Sequence, residues 1–292
     1  MISSSYLRNL LSFAKICVKL NTLFFSQMKR LHFIFVFGIL GGIFLSFMPL
    51  SKNVPKDLKP IKTLVIDAGH GGKDPGALGN GYKEKDITLK IALELKRVVN
   101  ENLPNIKVIM TRSTDKFVEL SKRGEIAQDN KGDFFVSIHC NSVPKGSKSP
   151  HGTEIYVLGT NPGQERYVTS IKENEVVAFE DNYKEMYGGF DPKSPEGGIF
   201  HNLMKNAFRT ESLKLGGKID KQFKERAGRK SYGVKQAPFI VLWQSGIPAV
   251  LIETGYISDK TEANFLASTE GQVIMASAIY RSIKEYNQEL GQ

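Results

Sequence analysis

The sequence predicts an α/β domain: a mostly parallel central sheet flanked by helices, with an inserted helical and loop segment over the active-site end. Three observations lead there. From residue 63 onward, short apolar runs of strand length alternate with longer segments of helical periodicity. The first apolar run empties into a glycine-rich loop instead of a hairpin turn. Between about 160 and 235 the pattern degrades into polar, acidic sequence longer than a connection inside a compact domain needs.

The elements follow in order. Residues 63–67 (TLVID) form a buried strand, followed by the loop 70–81. Over 86–100 the apolar residues Ile87, Ile91, Leu95 and Val98 recur at helical spacing, with Asp86 placed to cap the helix. Residues 107–110 (KVIM) are a second strand. Residues 120–128 read as a helix with Leu120, Ile126 and Ala127 turned inward. Residues 134–139 (FFVSIH), 153–158 (TEIYVL) and 248–253 (PAVLIE) are further strands, and 271–286 is a C-terminal helix. Inside the insertion, 171–189 is acidic and polar, 190–198 is a loop, and 199–215 is helical through Phe200, Leu203, Met204 and Phe208.

Ahead of this domain, residues 33–50 (FIFVFGILGGIFLSFMPL) carry no charge, and Lys29 and Arg30 stand directly before them. A basic segment followed by an apolar core is an export signal. Its 18 residues are at the lower limit for a spanning helix, so an uncleaved membrane anchor is the alternative reading. Met28 precedes the basic pair and is an alternative start. Residues 51–62, with two prolines and four lysines, read as a linker. The domain of 63–290 is therefore expected outside the cytoplasm, periplasmic or in the cell envelope, with membrane contact only through the N-terminal segment.

With 292 residues and 41% hydrophobic content, the chain can bury a substantial core. Its net charge of +10 is uneven: residues 1–50 contain five basic residues and no acid, which leaves the rest at +5. Mild basicity suits an anionic polymer, and a solvated lysine-rich surface explains it equally well. No dense basic stripe interleaved with aromatics is present, which argues against nucleic acid. Of the two cysteines, Cys17 lies in the leader and Cys140 in the body. The body thus has no internal disulfide and no cysteine zinc ribbon.

Open α/β sheets place ligands at the carboxyl ends of their strands. His70 follows the first strand, Glu84 ends the glycine-rich loop, His139 closes FFVSIH and Glu253 closes PAVLIE. Two imidazoles and one carboxylate suffice to hold a catalytic zinc with a position left for water. The remaining carboxylate can then take a proton from that water. Spacing does not decide which glutamate has which role. Asp67 is expected to orient a ligand or cap the loop, and Asp74, before Pro75, to shape the turn. Asn141 is a candidate substrate donor or a turn residue.

The strings TLVIDAGHGGKDPGALG (63–79), Glu84, SIHCNS (137–142) and PAVLIETGYIS (248–258), in that order, resemble the zinc-dependent N-acetylmuramoyl-L-alanine amidases of the amidase-3 type, the AmiC-like cell-separation enzymes. The resemblance runs from about 62 to 286. It implies zinc, one per chain, held by His70, Glu84 and His139, with Glu253 as the catalytic carboxylate. It implies peptidoglycan as substrate. It also implies a helix restraining the site until an activator with a LytM-type domain displaces it. Residues 171–189 have the composition for that helix, with Glu173, Glu175, Glu180 and Glu185 as candidates to touch the metal; a solvated helix without a regulatory task is the plain alternative. MTRSTDKFVELSKRGEIAQ (110–128) also matches, its Arg112 and Arg123 read as structural ion-pair or substrate-rim residues. The family usually has Ala where this chain has Cys140. Since strand neighbours face opposite sides, His139 cannot readily serve that thiol, and Cys140 is expected in the core. A zinc peptidase acting within the stem peptide, or an inactive wall-binding adaptor on the same fold, are the alternative readings.

Overall fold

The computed structural model describes residues 58–144, 146–147, 150–159, 164–180 and 195–291. The apolar run at 33–50, most of the linker, Glu185 and the first five residues of the loop expected at 190–198 lie outside them. No helix among the described residues is long and apolar enough to cross a membrane.

Strand β1 (Thr63–Ala68) leads through a small hairpin, β2 (Leu78–Gly79) and β3 (Tyr82–Lys83), into helix α1 (Glu84–Asn102). Then come β4 (Lys107–Met110), α2 (Leu120–Asp129), β5 (Phe134–Asn141) and β6 (Thr153–Leu158). Helix α3 (Gln164–Asn174) continues as a 3-10 turn, Glu175–Phe179. The long α4 (Pro195–Glu225) precedes β7 (Ser231–Ala237), α5 (Ile240–Ser245), β8 (Ala249–Tyr256), α6 (Lys260–Ala267) and α7 (Thr269–Glu289).

The six long strands form one sheet in the order β4-β1-β5-β8-β6-β7. All pairings are parallel except β6 against β8. The central strands are buried on both faces, which is why they read as near-continuous apolar runs. On one face Leu64, Ile66, Val136, Ile138, Val250 and Ile252 pack under α1, α4 and α7 through Ile91, Leu95, Leu215, Ile219, Met275 and Ile279. On the other, Val65, Phe135, Leu251 and Tyr156 pack under α2 and α5 through Leu120, Ala127, Val241 and Leu242. This is the three-layer arrangement expected of crossover helices on a largely parallel sheet.

Several elements differ from the sequence reading. Helix α1 starts two residues earlier than expected: Asp86 lies in its first turn and the capping position is Lys83, which offers no side-chain bond. The turn is closed instead by backbone, Glu84 N and Lys85 N donating to Ala77 O and Pro75 O. Ile126 is only half-buried, and Arg123 and Gly124 take the inward positions of α2. The helix expected at 199–215 begins at Pro195, inside the stretch expected as loop, because proline suits a first helical position, and it runs on to Glu225; the tail of the segment read as an insertion supplies β7, an edge strand of the sheet. Cys140 is buried among Ile138 and the residues of the first face, as the strand alternation predicts.

Candidate metal centre

Period-two alternation decides what the second face carries at its carboxyl end. Asp67, Ser137, His139, Glu253 and Glu154 share the parity of Val65, Phe135, Leu251 and Tyr156, so these polar side chains continue an otherwise apolar face. Register aligns them: Asp67 pairs with Ser137, His139 with Glu253, and Glu253 with Glu154. A β-bulge interrupts β5 between His139 and Asn141, a common device for re-aiming a side chain beside a site.

The loop after β1 delivers His70. Its backbone is left-handed (φ 61°), followed by Gly71 (φ 126°) and Gly72 (φ 57°). Gly69 has no room for a side chain, because a Cβ there would stand 2.4 Å from the His139 ring. His70 Nδ1 lies 2.7 Å from Asp74 Oδ2, while Asp74 Oδ1 accepts from Gly76 N at 3.0 Å. Asp74 therefore shapes the turn, as the sequence suggested, and also fixes the imidazole so that Nε2 faces inward.

Glu84 opens α1. Its Oε2 accepts from Ala77 N at 2.8 Å and its Oε1 from Cys140 N at 2.8 Å. That Oε1 also lies 3.1 Å from both His70 Nε2 and His139 Nδ1. Glu173, on α3, completes the group: its Oε2 is 3.1 Å from His70 Nε2 and 3.0 Å from His139 Nδ1. One ligand atom from each of His70, Glu84, His139 and Glu173 falls within 4.8 Å of every other. Of the four acidic candidates in the covering segment, Glu173 alone among the described residues joins this cluster. Glu175 is exposed, and Glu180 accepts from Leu120 N at 2.6 Å.

Four buried N/O donors of this kind are the set that zinc takes. His70 Nε2 and Glu173 Oε2 are both buried without a hydrogen-bond partner in the protein. Burial opposes charging His70, yet Glu84, Asp74 and Glu173 outweigh it and hold the imidazole well above its usual range. Burial likewise opposes charge on His139, but Glu173 and Glu84 push it up to about 10. The converging carboxylates thus call for positive charge at the centre, which the protonated imidazoles carry in the metal-free site and a cation would carry in their place. The residues fit a divalent cation.

Glu253 stands apart. It is fully buried and neither of its oxygens has a partner. Burial first, then the charge of Glu173, drive its carboxyl well above the ordinary range. By contrast Glu154, beside it on β6, receives the hydroxyls of Tyr156 and Tyr256 and the ammonium of Lys235. Thr254 holds the backbone of the ligand strand, its hydroxyl donating to His139 O at 2.8 Å. Asn141 spends its Oδ1 on Ser142 N at 2.8 Å, a turn role. Asp67 accepts from Thr111, Arg123 and Ser137 at 2.6–2.7 Å and so anchors the end of β1.

Glu173 is held over the site by its own segment. Lys172 donates to Ser142 O at 2.7 Å. Asn174 accepts from Ile240 N at 2.9 Å and donates to Pro238 O at 3.0 Å. Val176 packs with Leu120, Phe239 and Val241 in the second core cluster. Neither α2 nor α5 has a side-chain cap from its own capping position, Glu119 or Phe239. Glu180 and Asn174 supply those bonds from the covering segment. Sequence reasoning missed this because helix caps were sought next to their helices, not 60 residues away.

A family model described as N-acetylmuramoyl-L-alanine amidase matches residues 64–285 of the chain. AmiC, an N-acetylmuramoyl-L-alanine amidase of Escherichia coli O6:H1, is 35% identical over 240 residues, spanning 78% of this chain and 53% of AmiC. A putative amidase of the same description from Buchnera aphidicola is 31% identical over 229 residues, covering 77% of this chain and 94% of the relative. Among solved structures, the CwlD amidase of Clostridioides difficile in complex with the GerS lipoprotein superposes with a TM-score of 0.56 at 25% identity, over 78% of this chain and 99% of that one.

Proposed function

We propose that this chain, which belongs to the N-acetylmuramoyl-L-alanine amidase family, is a zinc-dependent peptidoglycan hydrolase exported to the cell envelope, where it serves daughter-cell separation. The bond cut is the amide between the lactyl group of N-acetylmuramic acid and L-alanine. The observation that carries this reading is the convergence of His70, Glu84 and His139 from three separate segments onto one point, with Glu253 in register beside His139.

His70, Glu84 and His139 would hold the zinc, which when bound supplies Lewis-acid polarisation of the carbonyl and a more acidic water. Glu84 keeps its orientation through Ala77 N and Cys140 N, and His70 through Asp74. Glu253 accepts the proton of the attacking water on one of its free oxygens. The water oxygen bonds to the lactyl carbonyl carbon, the C–N bond breaks, and Glu253 returns the proton to the alanine nitrogen. Its raised pKa favours holding that proton until the alanine nitrogen takes it.

Glu173 occupies the position a substrate carbonyl or water would need, so the described arrangement is a restrained one. Release requires the segment carrying Glu173 to leave, and the partner proposed for that task is an activator with a LytM-type domain. Replacing Glu173 by Gln should raise basal hydrolysis several-fold without activator; an unchanged rate would remove the restraint from this reading.

Purified wall digested with and without chelator, its products identified by mass, tests the class. Stem peptides beginning in L-alanine, released only with metal, are expected. Fragments cut inside the stem would favour a zinc peptidase, and no release with metal bound would favour an adaptor. Glu253→Gln should keep zinc and lose roughly 10²–10⁴-fold in turnover, the usual worth of general acid–base catalysis. Full activity in that variant would exclude Glu253 as the base.

A further inference from the structure

The turn that carries His70 is strained. Three successive residues take left-handed backbone, and the first of them is not glycine. A side chain in that region is sterically strained and stays there only where its surroundings hold it. The turn also directs three successive carbonyls, those of Ala68, Gly69 and His70, into the protein, where they need donors.

Two buried arginines meet that need. Arg112 Nε donates to Ala68 O at 2.9 Å and its Nη2 to Gly69 O at 2.7 Å. Arg123 Nη1 donates to Ala68 O at 2.8 Å and its Nη2 to His70 O at 2.9 Å. Each is about 1% exposed, which removes them from any substrate rim. Arg112 reaches further, its Nη2 donating to Lys85 O at 2.8 Å and to Thr88 Oγ1 at 3.2 Å. Lys85 follows Glu84 directly. One guanidinium therefore spans the two backbone segments that bear His70 and Glu84. Arg123, itself on α2, also donates to Val118 O, just ahead of that helix, at 2.9 Å and to Asp67 at 2.7 Å.

We propose that Arg112 and Arg123 are positioning residues of the metal site: they force the left-handed turn and fix the spacing between His70 and Glu84. Stability alone does not account for them. Two buried like charges with only one carboxylate, Asp67, in direct ion-pair contact are a costly way to fill a core, and apolar side chains of similar volume often stabilise as well or better. What they provide is a planar fork able to satisfy several carbonyls in a fixed geometry.

The inference rests on the metal-site reading, and its test separates the two. Zinc affinity of the full-length chain, purified in detergent, is measured by competition with a chromophoric chelator, alongside thermal unfolding of the metal-free protein. Arg112→Lys keeps the charge and loses the fork. It should weaken zinc binding roughly 10–100-fold, the cost typical of losing support behind a ligand, while the metal-free chain still unfolds cooperatively. Thr88→Val is the milder variant, deleting the hydroxyl that meets Gly69 O at 2.9 Å, and should weaken zinc several-fold. It decides the matter if Arg112→Lys does not fold. Lys122→Gln, at an exposed ion pair, should bind zinc as the wild type does. Folded Arg112→Lys or Thr88→Val protein with wild-type zinc affinity overturns the proposal alone. A wild-type chain that takes up no zinc overturns both it and the metal site.

Discussion

Asp67 and Glu253 are two fully buried carboxylates on one face of the sheet, and their neighbours set them to opposite tasks. Burial raises the pKa of each. For Asp67 that effect is outweighed by Arg123 and by the hydroxyls of Thr111 and Ser137, and its carboxyl stays below the usual range. Glu253 has no such donors. A lowered carboxyl contributes stability that is present above its unfolded value, near ~3.9, and is lost as pH falls through its folded value. Asp67 should therefore make the wild type lose stability progressively below about pH 4. Asp67→Asn should flatten that acid limb while lowering stability at pH 7 by ~3–5 kcal/mol, because it leaves Arg123 buried without its carboxylate. Denaturant unfolding at a series of pH values measures both, and an unchanged acid limb would contradict the assignment. Positions were easier to read than roles. Strand ends and the glycine-rich loop pointed to His70, Glu84, His139 and Glu253, because short apolar runs locate the carboxyl edge of a sheet. Asp74 looked like a turn residue until its second oxygen met the imidazole. Glu154 gave no signal, since a glutamate in a strand is unremarkable until three donors converge on it.

At the scale of elements, the segment from α3 through Glu180 is a cover fastened by borrowed helix caps. A capping bond is worth about 1 kcal/mol. Asn174→Ala and Glu180→Ala should each loosen the cover by about that much, and together should speed amide exchange across 168–180 while leaving β1, β5 and β8 protected. Basal hydrolysis should rise in the same order as exchange; faster exchange with no gain in rate would mean the cover does not limit access. The pattern of elements found and missed has physical reasons. Strands buried on both faces are continuous apolar runs and were read to within a few residues. Strand β7 (SYGVKQA) lies at the sheet's edge with half-buried residues and an internal glycine, so its pattern has neither apolar continuity nor clean alternation. Helix α5 is six residues long, too short to display a period. Helix α6 follows a capping residue, Asp259, whose side chain accepts from Glu262 N, but its eight residues are too few to add a clear apolar period to that start signal. Asp86 failed as a cap because the hairpin β2–β3 delivers the chain to α1 with backbone donors already satisfied.

Over the whole molecule, the ligand cluster joins separate parts of the chain: residues 70 and 84 bracket the loop between β1 and α1, 139 lies near the end of a central strand, and 173 rides on the cover. An ion bound there links β1, α1, β5 and α3, and it stabilises whatever those links hold together. A ligand that binds only the folded state adds about 2.7 kcal/mol at a concentration 100 times its dissociation constant. Metal should therefore raise the melting temperature of the wild type, and chelator should reverse the rise. The two kinds of ligand separate in variants. Glu84→Gln weakens a ligand tied directly to the core through Cys140 N and Ala77 N, so most of the metal-dependent shift should vanish together with turnover. Glu173→Gln removes only the contribution of the cover. Two imidazoles and Glu84 remain, most of the shift should persist, and hydrolysis should rise instead of fall. Equal loss of both properties in the two variants would mean that Glu173 belongs to the working site and that the covering segment is a structural part of the enzyme, not its restraint.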